Sequence, residues 1–455
     1  MQTAQSKIPH VSAQLQDPLT PDTWPPGPGQ QLVAQQPDAE LTQMLNQIDP
    51  ARIQTIIGKL VSFGTRNTLS SQTNPTRGIG AARDWIASQM RTFAATSNGR
   101  MNVTVQTFTP GSGGGVPQGT VLSNVFATLK GSENSNRVYV VSGHYDSRNS
   151  NNSDPDGDAP GANDDASGVA VSMELARIMA PKQTRATIIF AAVAGEEQGL
   201  IGSAYMAQQL KNAGIDVQGM LNNDIVGSST ADDGVTKDPY NIRMFVRGIP
   251  PTESASQISH RVDIGAENDS PTRQLGRFVA EIASNTVTNM TVQPVWRPDR
   301  FNRGGDHESF LDAGFPAVRF TEPNENFAHQ HQNVRVDNGL QYGDLPEFCD
   351  YEFNARVAKV NGAALWSLAQ APGTPKGVSM NTSGLTNNST LSWTIDPSAS
   401  SYEIVWRASD SPQWTGVIPL GKVSTATVKL SKDNAQFGVR AVGANGYKSP
   451  AGFPL

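Results

Sequence analysis

The sequence contains only one cysteine, Cys349, in 455 residues. A single thiol excludes an internal disulfide framework and any metal site built from several cysteines. Long apolar runs are also missing, and none approaches the roughly 18–20 residues that a membrane-spanning helix needs. The net charge is −6 and no basic tract is present. We therefore expect no membrane span, and neither nucleic acid nor an anionic membrane as a partner.

A signal peptide is not visible at the start of the chain, which reads MQTAQSKIPHVSAQ. This stretch lacks the basic and apolar segments that a secretory signal combines. The chain is nevertheless poor in Lys and Glu and rich in Asn, Gln, Ser, Thr and Gly. We interpret this composition as that of a mature exported bacterial protein behind an added Met, and we expect it to be secreted or periplasmic.

The length of the chain exceeds that of one ordinary hydrophobic core, which favours at least two domains. Residues 1–38 include PDTWPPGPGQQ and show no periodicity, so they are predicted to be extended. Residues 39–370 mix helical and strand patterns. Residues 372–455 carry short alternating runs such as SYEIVWRA and FGVRAV, which predict a small all-β sandwich. The pattern around Trp393 and Tyr402 resembles a fibronectin type III domain.

Strand and helix patterns alternate in the middle of the chain. Apolar, β-rich runs cover residues 138–142 and 186–194, and a shorter run ends at Asp224. Helical patterns cover residues 168–179 and 200–210. This alternation predicts an α/β fold with a mixed, mainly parallel central sheet flanked by helices. Such sheets carry their functional sites at the carboxyl ends of the strands.

Weaker patterns predict the remaining elements of this region. The predicted helices cover residues 41–48, 53–60, 80–93, 274–283 and 351–368. The predicted strands cover residues 101–108, 121–129, 241–246, 292–296 and 317–320. A polar stretch at residues 228–270 reads mainly as an insertion that shapes a substrate mouth.

Side chains that can bind metal follow the predicted strands or open a predicted helix. They are His144, Asp146, Asp164, Asp165, Glu196, Glu197 and Asp224. Histidine nitrogen and carboxylate oxygen are good zinc ligands. A pair of metal ions about 3.5–4 Å apart needs one carboxylate that reaches both ions. Asp164 suits this bridging role, because the nearby Gly161 and Gly168 allow a tight turn.

Each of these motifs alone has an ordinary structural explanation. A strand-end histidine, a Glu-Glu pair on a solvated face and an Asn-Asp-Asp helix cap are all common. Their occurrence together, in this order and in an α/β context, favours a metal centre. His144 and Asp224 then complete one site, and Glu197 with a later histidine completes the other. Glu196 stands beside a ligand and is placed to accept a proton from an activated water.

The segments GHYDS, GANDDASG, GEEQGLIGS and LNNDIVG resemble the co-catalytic dizinc aminopeptidase family. This family includes bacterial leucyl aminopeptidases, aminopeptidase Y and peptidases like glutamate carboxypeptidase II. The resemblance covers about residues 137–369, and it implies a zinc exopeptidase fold with two zinc ions. The implied zinc ligands are His144, Asp164, Glu197, Asp224 and a distal histidine. The resemblance also implies that Glu196 is the general base and that Asp146 orients the first histidine.

The distal histidine lies in the stretch ENFAHQHQNVRVDN. The family usually has an aspartate four positions after this histidine. Here Asn333 follows His329 at that distance and Arg335 follows His331, so the sequence departs from the pattern in either case. We expect His329 rather than His331. Upstream, GGDHESFLDAGFPAVRF resembles a segment that implies a place for His307 beside the site, although a helix start explains this residue equally well.

The resemblance implies a zinc-dependent exopeptidase, with an aminopeptidase acting on peptide or protein N-termini as the leading hypothesis. A carboxypeptidase is an alternative that needs an arginine clamp, for which Arg300, Arg303 and Arg319 are available. A glutaminyl cyclase on the same scaffold is a second alternative. A third is a catalytically inactive peptidase scaffold that serves a binding or adhesion protein.

Overall fold

The computed structural model describes residues 24–111, 115–133 and 136–455. The helices in these ranges are α1 (Ala39–Leu45), α2 (Pro50–Val61), α3 (Ile79–Ala94), α4 (Ala166–Met179), α5 (Ile201–Asn212), α6 (Ala255–Asp263), α7 (Pro271–Ala283), α8 (His307–Ala313) and α9 (Tyr351–Gln370). The strands are β1 (Gln30–Gln31), β2 (Met101–Phe108), β3 (Leu122–Leu129), β4 (Arg137–His144), β5 (Thr187–Val193), β6 (Asp216–Asn223), β7 (Asn241–Phe245), β8 (Thr291–Val295), β9 (Ala317–Thr321), β10 (Arg335–Asp337), β11 (Leu340–Tyr342), β12 (Ser379–Met380), β13 (Ser389–Ser392), β14 (Ser401–Ala408), β15 (Gly416–Leu420), β16 (Thr425–Val428) and β17 (Ala435–Val442).

The central sheet has the strand order β2-β3-β5-β4-β6-β9-β7-β8. Its middle pairs, β5-β4, β4-β6 and β6-β9, are parallel. The pairs β2-β3, β3-β5 and β7-β9 are antiparallel. The predicted α/β class with a mixed sheet is therefore confirmed. The parallel middle of the sheet brings the carboxyl ends of β5, β4 and β6 to one edge.

Helices cover both faces of this sheet, as the side-chain alternation of β4 requires. Tyr139 and Val141 pack into the core beneath α4, α2 and α9. Val138 and Val140 face the opposite side and join a cluster with Met206 of α5 and residues of α8. Both sets of side chains are buried, which explains why β4 reads as a continuous apolar run rather than an alternating one.

The helix boundaries follow local capping signals. Pro50 begins α2 at a position where its missing N–H is not needed, and the Asp49 side chain accepts from the Ala51 N–H. Asp165 caps α4 by accepting from the Gly168 N–H. Helix α6 lies in the polar stretch where only a strand was predicted. It has a capping box formed by Ser254 and Gln257.

The C-terminal residues form two antiparallel sheets, β12-β13-β16 and β1-β15-β14-β17. Leu391, Trp393, Tyr402, Trp406 and Phe437 are among the side chains in the core that these strands share. Strand β1 comes from the predicted N-terminal segment, and it pairs with β15 at the edge of the four-stranded sheet. Residues 24–38 of that segment therefore include a strand of the C-terminal sheets, and residues 1–23 lie outside the described residues.

A buried ion cluster joins the C-terminal sheets to α7. The carboxylate of Asp269 lies 3.0 Å from Arg277 of α7 and 2.6 Å from Arg407 of β14. Trp414 donates to the side chain of Gln274 over 3.1 Å. One buried carboxylate therefore pairs with arginines from both regions, which links the C-terminal sheets to α7. Within the described ranges, no helix combines the length and the apolar character that crossing a membrane requires.

Candidate metal centre

Three neighbouring strands deliver the candidate ligands to one edge of the sheet. His144 is the last residue of β4 and pairs in register with Val193 at the end of β5. Glu196 and Glu197 follow β5, and Asp224 directly follows β6. Donor atoms of His144, Glu196 and Asp224 all lie within 4.8 Å of one another. The predicted convergence of strand-end side chains is therefore present in the structure.

Asp164 faces two histidines from the turn before α4. Its Oδ1 lies 3.1 Å from Nε2 of His144, and its Oδ2 lies 2.8 Å from Nε2 of His331. Asp164, Glu197 and His331 form a second group whose donor atoms lie within 4.8 Å of one another. The peptide bond between Asp164 and Asp165 is cis. Asp164 thus lies between the two donor groups, and its bridging role stays a prediction.

Two glycines allow the start of α4 to approach the strand ends. A Cβ atom on Gly143 would lie 2.4 Å from the backbone of Gly168, and one on Gly168 would lie 2.2 Å from the carbonyl oxygen of Asn223. A glycine is therefore needed at position 168 because the start of α4 lies so close to the end of β6, and not because of a special backbone conformation. Gly161 has a φ of +53°, and a tight turn near Asp164 does depend on it.

Asp146 holds the strand-end ligands in place. Its carboxylate accepts from the backbone N–H of Glu196 over 3.3 Å and of Glu197 over 3.1 Å. Nδ1 of His144 lies 3.1 Å from the Asp146 carbonyl oxygen and 3.6 Å from its carboxylate. The Asp146 carboxylate therefore fixes the turn that carries both glutamates, while its backbone carbonyl is the atom within hydrogen-bond distance of the His144 ring.

Two further carboxylates orient the ligands, and sequence reasoning did not assign them this role. Asp344 accepts from the backbone N–H of Asn163 and from that of Asp164, the latter over 2.7 Å. Asp165 accepts from the backbone N–H of His144 over 2.9 Å. Asp165 was noted only as a potential ligand. No local pattern marks Asp344, because its role depends on a loop that returns from nearly two hundred residues away.

The expectation that His329 is the distal ligand is wrong in this structure. The His329 ring stacks on Phe348, with 3.6 Å between the ring centroids. His331 instead reaches the cluster, and its Nε2 lies 3.1 Å from Glu197 Oε2. His331 has a φ of +55°, which turns its backbone away from the helical course of the preceding residues. Sequence spacing alone could not show this local reversal.

His307 is buried next to the centre but outside both groups. Its Nε2 donates to the carbonyl oxygen of Pro298 over 3.0 Å. Burial lowers the pKa of His307 to about 4, against the opposing effect of Asp299. The ring is therefore neutral at physiological pH. His307 also forms, with Asp299 and Glu308, a third group of potential ligand atoms that lie within 4.8 Å of one another. The exclusion of His307 from the zinc ligands stays a prediction.

The carboxylates of the centre are crowded in a buried space. Burial raises the pKa of Glu196 well above its ordinary value, and Asp224 and Glu197 add to this shift while His144 opposes it. Burial alone would lower the pKa of His331, but Glu197 and Asp164 raise it to about 10. Protons or cations must therefore balance the negative charge at this point.

The donor set fits divalent zinc. Histidine nitrogens and carboxylate oxygens converge from two groups, and zinc accepts both kinds of donor. Nε2 of His144 and Oε1 of Glu197 are buried, and neither has a hydrogen-bond partner in the described part of the chain. Buried polar atoms without partners are costly, and coordination of a cation would satisfy both. The residues present therefore fit a zinc centre.

Comparisons with known proteins agree with this geometry. Residues 124–339 match the model of Peptidase family M28. A probable zinc metalloprotease of Pyrenophora teres f. teres is 55% identical over 437 residues, covering 95% of this chain and 90% of that protein. A probable zinc metalloprotease of Pyricularia oryzae is 56% identical over 443 residues, covering 95% and 88%. These organisms are fungi, so they give no support to the expected bacterial origin.

The fold also resembles solved structures. The LapA aminopeptidase of Legionella pneumophila superposes with a TM-score of 0.51 at 20% identity, over 73% of this chain and 75% of LapA. LapB of the same organism gives a TM-score of 0.52 at 21% identity, over 75% and 78%. At these identities the similarity establishes the fold alone. The family match and the relatives that align over nearly the full length show that the chain belongs to Peptidase family M28 and is a zinc metalloprotease.

Proposed function

We propose that the protein is an aminopeptidase that uses two zinc ions to hydrolyse the N-terminal peptide bond of peptides. The observation that carries the proposal is the position of Asp164, whose two carboxylate oxygens face histidines of two separate donor groups. A bridging carboxylate is what a two-metal site requires. The four segments that resemble dizinc aminopeptidases support the choice of substrate.

His144, Asp224 and Asp164 would hold one zinc ion, and Asp164, Glu197 and His331 would hold the other. Zinc at such a site lowers the pKa of water toward neutrality and polarises a carbonyl oxygen. Asp146 and Asp344 fix the backbone that presents these ligands.

Glu196 is the general base in this proposal. Its carboxylate lies in the first donor group, and the carboxylate of the next residue, Glu197, lies in the second. A raised pKa in a buried site suits a carboxylate that accepts a proton and later donates it. Glu196 would take the proton from the attacking water and transfer it to the amine that leaves.

The decisive experiment combines metal analysis with a matched substrate pair. Zinc per chain is measured by mass spectrometry, and hydrolysis of leucine p-nitroanilide is compared with that of its N-acetyl derivative. We expect two zinc ions per chain, cleavage of the free amine only, and loss of cleavage with a chelator. One zinc ion per chain, or equal cleavage of both substrates, would contradict the proposal.

Two further substrates separate the alternative functions. An N-acetylated peptide with a free C-terminus that releases its last residue would indicate a carboxypeptidase. Formation of pyroglutamate from a glutaminyl peptide would indicate a cyclase. Neither product is expected from an aminopeptidase acting on these substrates. Absence of any chelator-sensitive hydrolysis would support an inactive scaffold.

The role of Glu196 has its own test. Glu196→Gln should retain both zinc ions and lower kcat by about 10²–10⁴, the range that a general base contributes. Glu352→Gln removes an exposed carboxylate in the first turn of α9 and serves as the control. Near wild-type turnover by Glu196→Gln would show that another group accepts the proton.

A further inference from the structure

Two of the three candidate arginines near the centre are already neutralised by carboxylates. Arg319 lies 2.9 Å from Asp224 and 2.9 Å from Asp299. Arg300 lies 3.0 Å from Asp299 and 2.6 Å from Glu325. Neither guanidinium is available to bind a substrate, because each is committed to two acidic partners.

Arg303 differs from both. Within residues 24–111, 115–133 and 136–455, its contacts are an amide and an imidazole. Its Nη2 lies 3.1 Å from Oε1 of Gln330, and its Nη1 lies 3.4 Å from Nδ1 of His331. It is partly exposed. The described residues therefore leave the positive charge of Arg303 without a carboxylate partner at the edge of the second donor group.

The contact of Arg303 with His331 is incompatible with metal binding by that ring. A neutral imidazole that binds a cation through Nε2 carries its proton on Nδ1. Nδ1 then becomes a donor, and a guanidinium has only donors to offer in return. Arg303 thus keeps a single neutral partner, Gln330, when the centre is loaded. Its remaining N–H groups are then available to an acceptor that approaches the second donor group.

A second arginine approaches the same donor group from another loop. Nε of Arg148 lies 3.9 Å from Oε2 of Glu197. This buried atom has no hydrogen-bond partner among the described residues. Ser150 donates to the side chain of Asn333 over 2.8 Å, which ties this loop to the turn after His331. Arg148 and Arg303 therefore both place a guanidinium beside the second donor group, and only that of Arg303 is without a carboxylate contact among the described residues.

We propose that Arg303 binds a carboxylate of the substrate beside the Asp164–Glu197–His331 group, with Arg148 adding to the positive potential. The inference rests on the proposed peptidase function and names its substrate class. The preferred substrates carry a carboxylate close to the scissile bond. The carboxylate comes from the free C-terminus of a dipeptide or from an acidic side chain next to the bond. A guanidinium can hold either one through paired hydrogen bonds.

Three substrates and two variants test the proposal. The substrates are the dipeptide Leu-Ala, its amide Leu-Ala-NH2 and the acidic amide Leu-Asp-NH2. Arg303→Gln removes the charge and keeps a polar side chain. Arg297→Gln is the matched control, because Arg297 lies in the same loop and its guanidinium stacks over Phe301. All proteins are assayed with saturating zinc, after zinc content and thermal stability have been compared.

We expect wild type to favour the substrates with a carboxylate over Leu-Ala-NH2. Arg303→Gln should lower kcat/KM for them by about 10- to 100-fold, mainly through KM, since a charged hydrogen bond is lost. Leu-Ala-NH2 should change by no more than about twofold, and Arg297→Gln should leave all three unchanged. Loss on Leu-Ala alone identifies the C-terminal carboxylate, and loss on Leu-Asp-NH2 alone identifies the acidic side chain. Equal loss on all three substrates, or no loss on any, would overturn the proposal.

A binding measurement separates this inference from the proposed function. Succinate offers a second carboxylate beyond the one that butyrate also has. Calorimetry on the zinc-loaded protein should show tighter binding of succinate than of butyrate, and Arg303→Gln should remove the difference. If no peptide is cleaved, the proposed function fails, and the succinate result still decides the role of Arg303. Equal affinity for the two acids in wild type would overturn that role.

Discussion

The two halves of the metal centre reach the same point by different means. His144 and Asp224 stand at the ends of β4 and β6, which are neighbouring parallel strands of the central sheet. Backbone pairing sets their positions. His331 lies in the irregular stretch between β9 and β10 and has a left-handed backbone conformation. Its position depends on side-chain contacts with other loops.

The second nitrogens of the two histidine rings also meet different partners. Nδ1 of His144 faces Asp146, an acceptor of the kind that normally supports a metal-binding histidine. Nδ1 of His331 faces the guanidinium of Arg303. An acceptor therefore supports the Nδ1 proton that His144 carries when its Nε2 binds a metal. The donor groups of Arg303 oppose the same proton on His331. We expect the two halves to differ in metal affinity and in tolerance of acid.

The largest loss of zinc and of activity should come from removal of His331, the histidine on the loop. His331→Ala should lose one of two zinc ions and lower kcat/KM by at least about 100-fold, because a metal supplies several kcal/mol of stabilisation to the transition state. His329→Ala, which removes the ring stacked on Phe348, should keep both zinc ions. Metal analysis and steady-state kinetics provide the readout. Zinc loss from His329→Ala in place of His331→Ala would reverse the assignment.

The orienting carboxylates should have the next largest effect. Asp146→Asn and Asp344→Asn should each weaken zinc binding by about 10- to 100-fold, the usual cost of losing an orienting partner. Competition with a fluorescent chelator measures the affinities. Asp337→Asn, in the exposed strand β10, is the control. If either variant binds zinc like this control, the carboxylate concerned does not support the centre.

A smaller difference should separate the two metal sites of the wild-type protein. Titration with a chelator should remove zinc in two steps whose affinities differ by about tenfold or more. Arg303→Gln should reduce the difference between the two zinc affinities, because a neutral side chain no longer opposes the Nδ1 proton of His331. A single step in wild type would show that the two halves are energetically equivalent.

The titration of His307 should leave the free energy of unfolding unchanged at neutral pH and lower it gradually as the pH falls. The pKa of His307 is about 4 in the fold, below its ordinary value of about 6.5. The unfolded chain therefore binds a proton first, and the stabilisation that is complete above pH 6.5 is lost as the pH falls toward 4. The slope is at most about 1.4 kcal/mol per pH unit.

His307→Asn should remove this contribution to the slope. The free energy of unfolding, measured with urea between pH 7 and pH 4.5, should then fall less steeply than in wild type. His307 supports Pro298 in the loop that carries Arg303, so hydrogen exchange should show the loop opening first in acid. Parallel pH profiles for the two proteins would contradict this account.

The sequence predicted the strand-borne half of the site much better than the loop-borne half. An apolar run that ends in a polar motif specifies both a strand and the edge where its last side chain lies, as at His144 and Asp224. The tight turn near Asp164 was predicted from two glycines, and it depends on Gly161 but not on Gly168. His331 and Asp344 could not be placed in this way, because their positions depend on how a loop of mixed polarity folds back across the sheet.

The same contrast applies to the fold. The buried elements α2, α4, α9, β4 and β5 were predicted near their observed bounds, because periodicity records burial directly. Helix α6 and the short strands β10, β11, β12 and β15 were missed. They are short and in part exposed, and capping or pairing partners rather than apolar spacing define them. Strand β1 was missed because its partner, β15, lies some 390 residues later in the sequence.

The carboxylate of Asp269 has a consequence for how the molecule can come apart. Detaching the β-sandwich would leave this acid opposite one arginine instead of two, and the Trp414 N–H would lose Gln274 as its acceptor. Separation of the two regions would break these buried contacts, and we therefore expect heat to melt them together. A chain cut after residue 371 should be insoluble or markedly less heat-resistant, and two resolved calorimetric transitions in the intact chain would contradict this view.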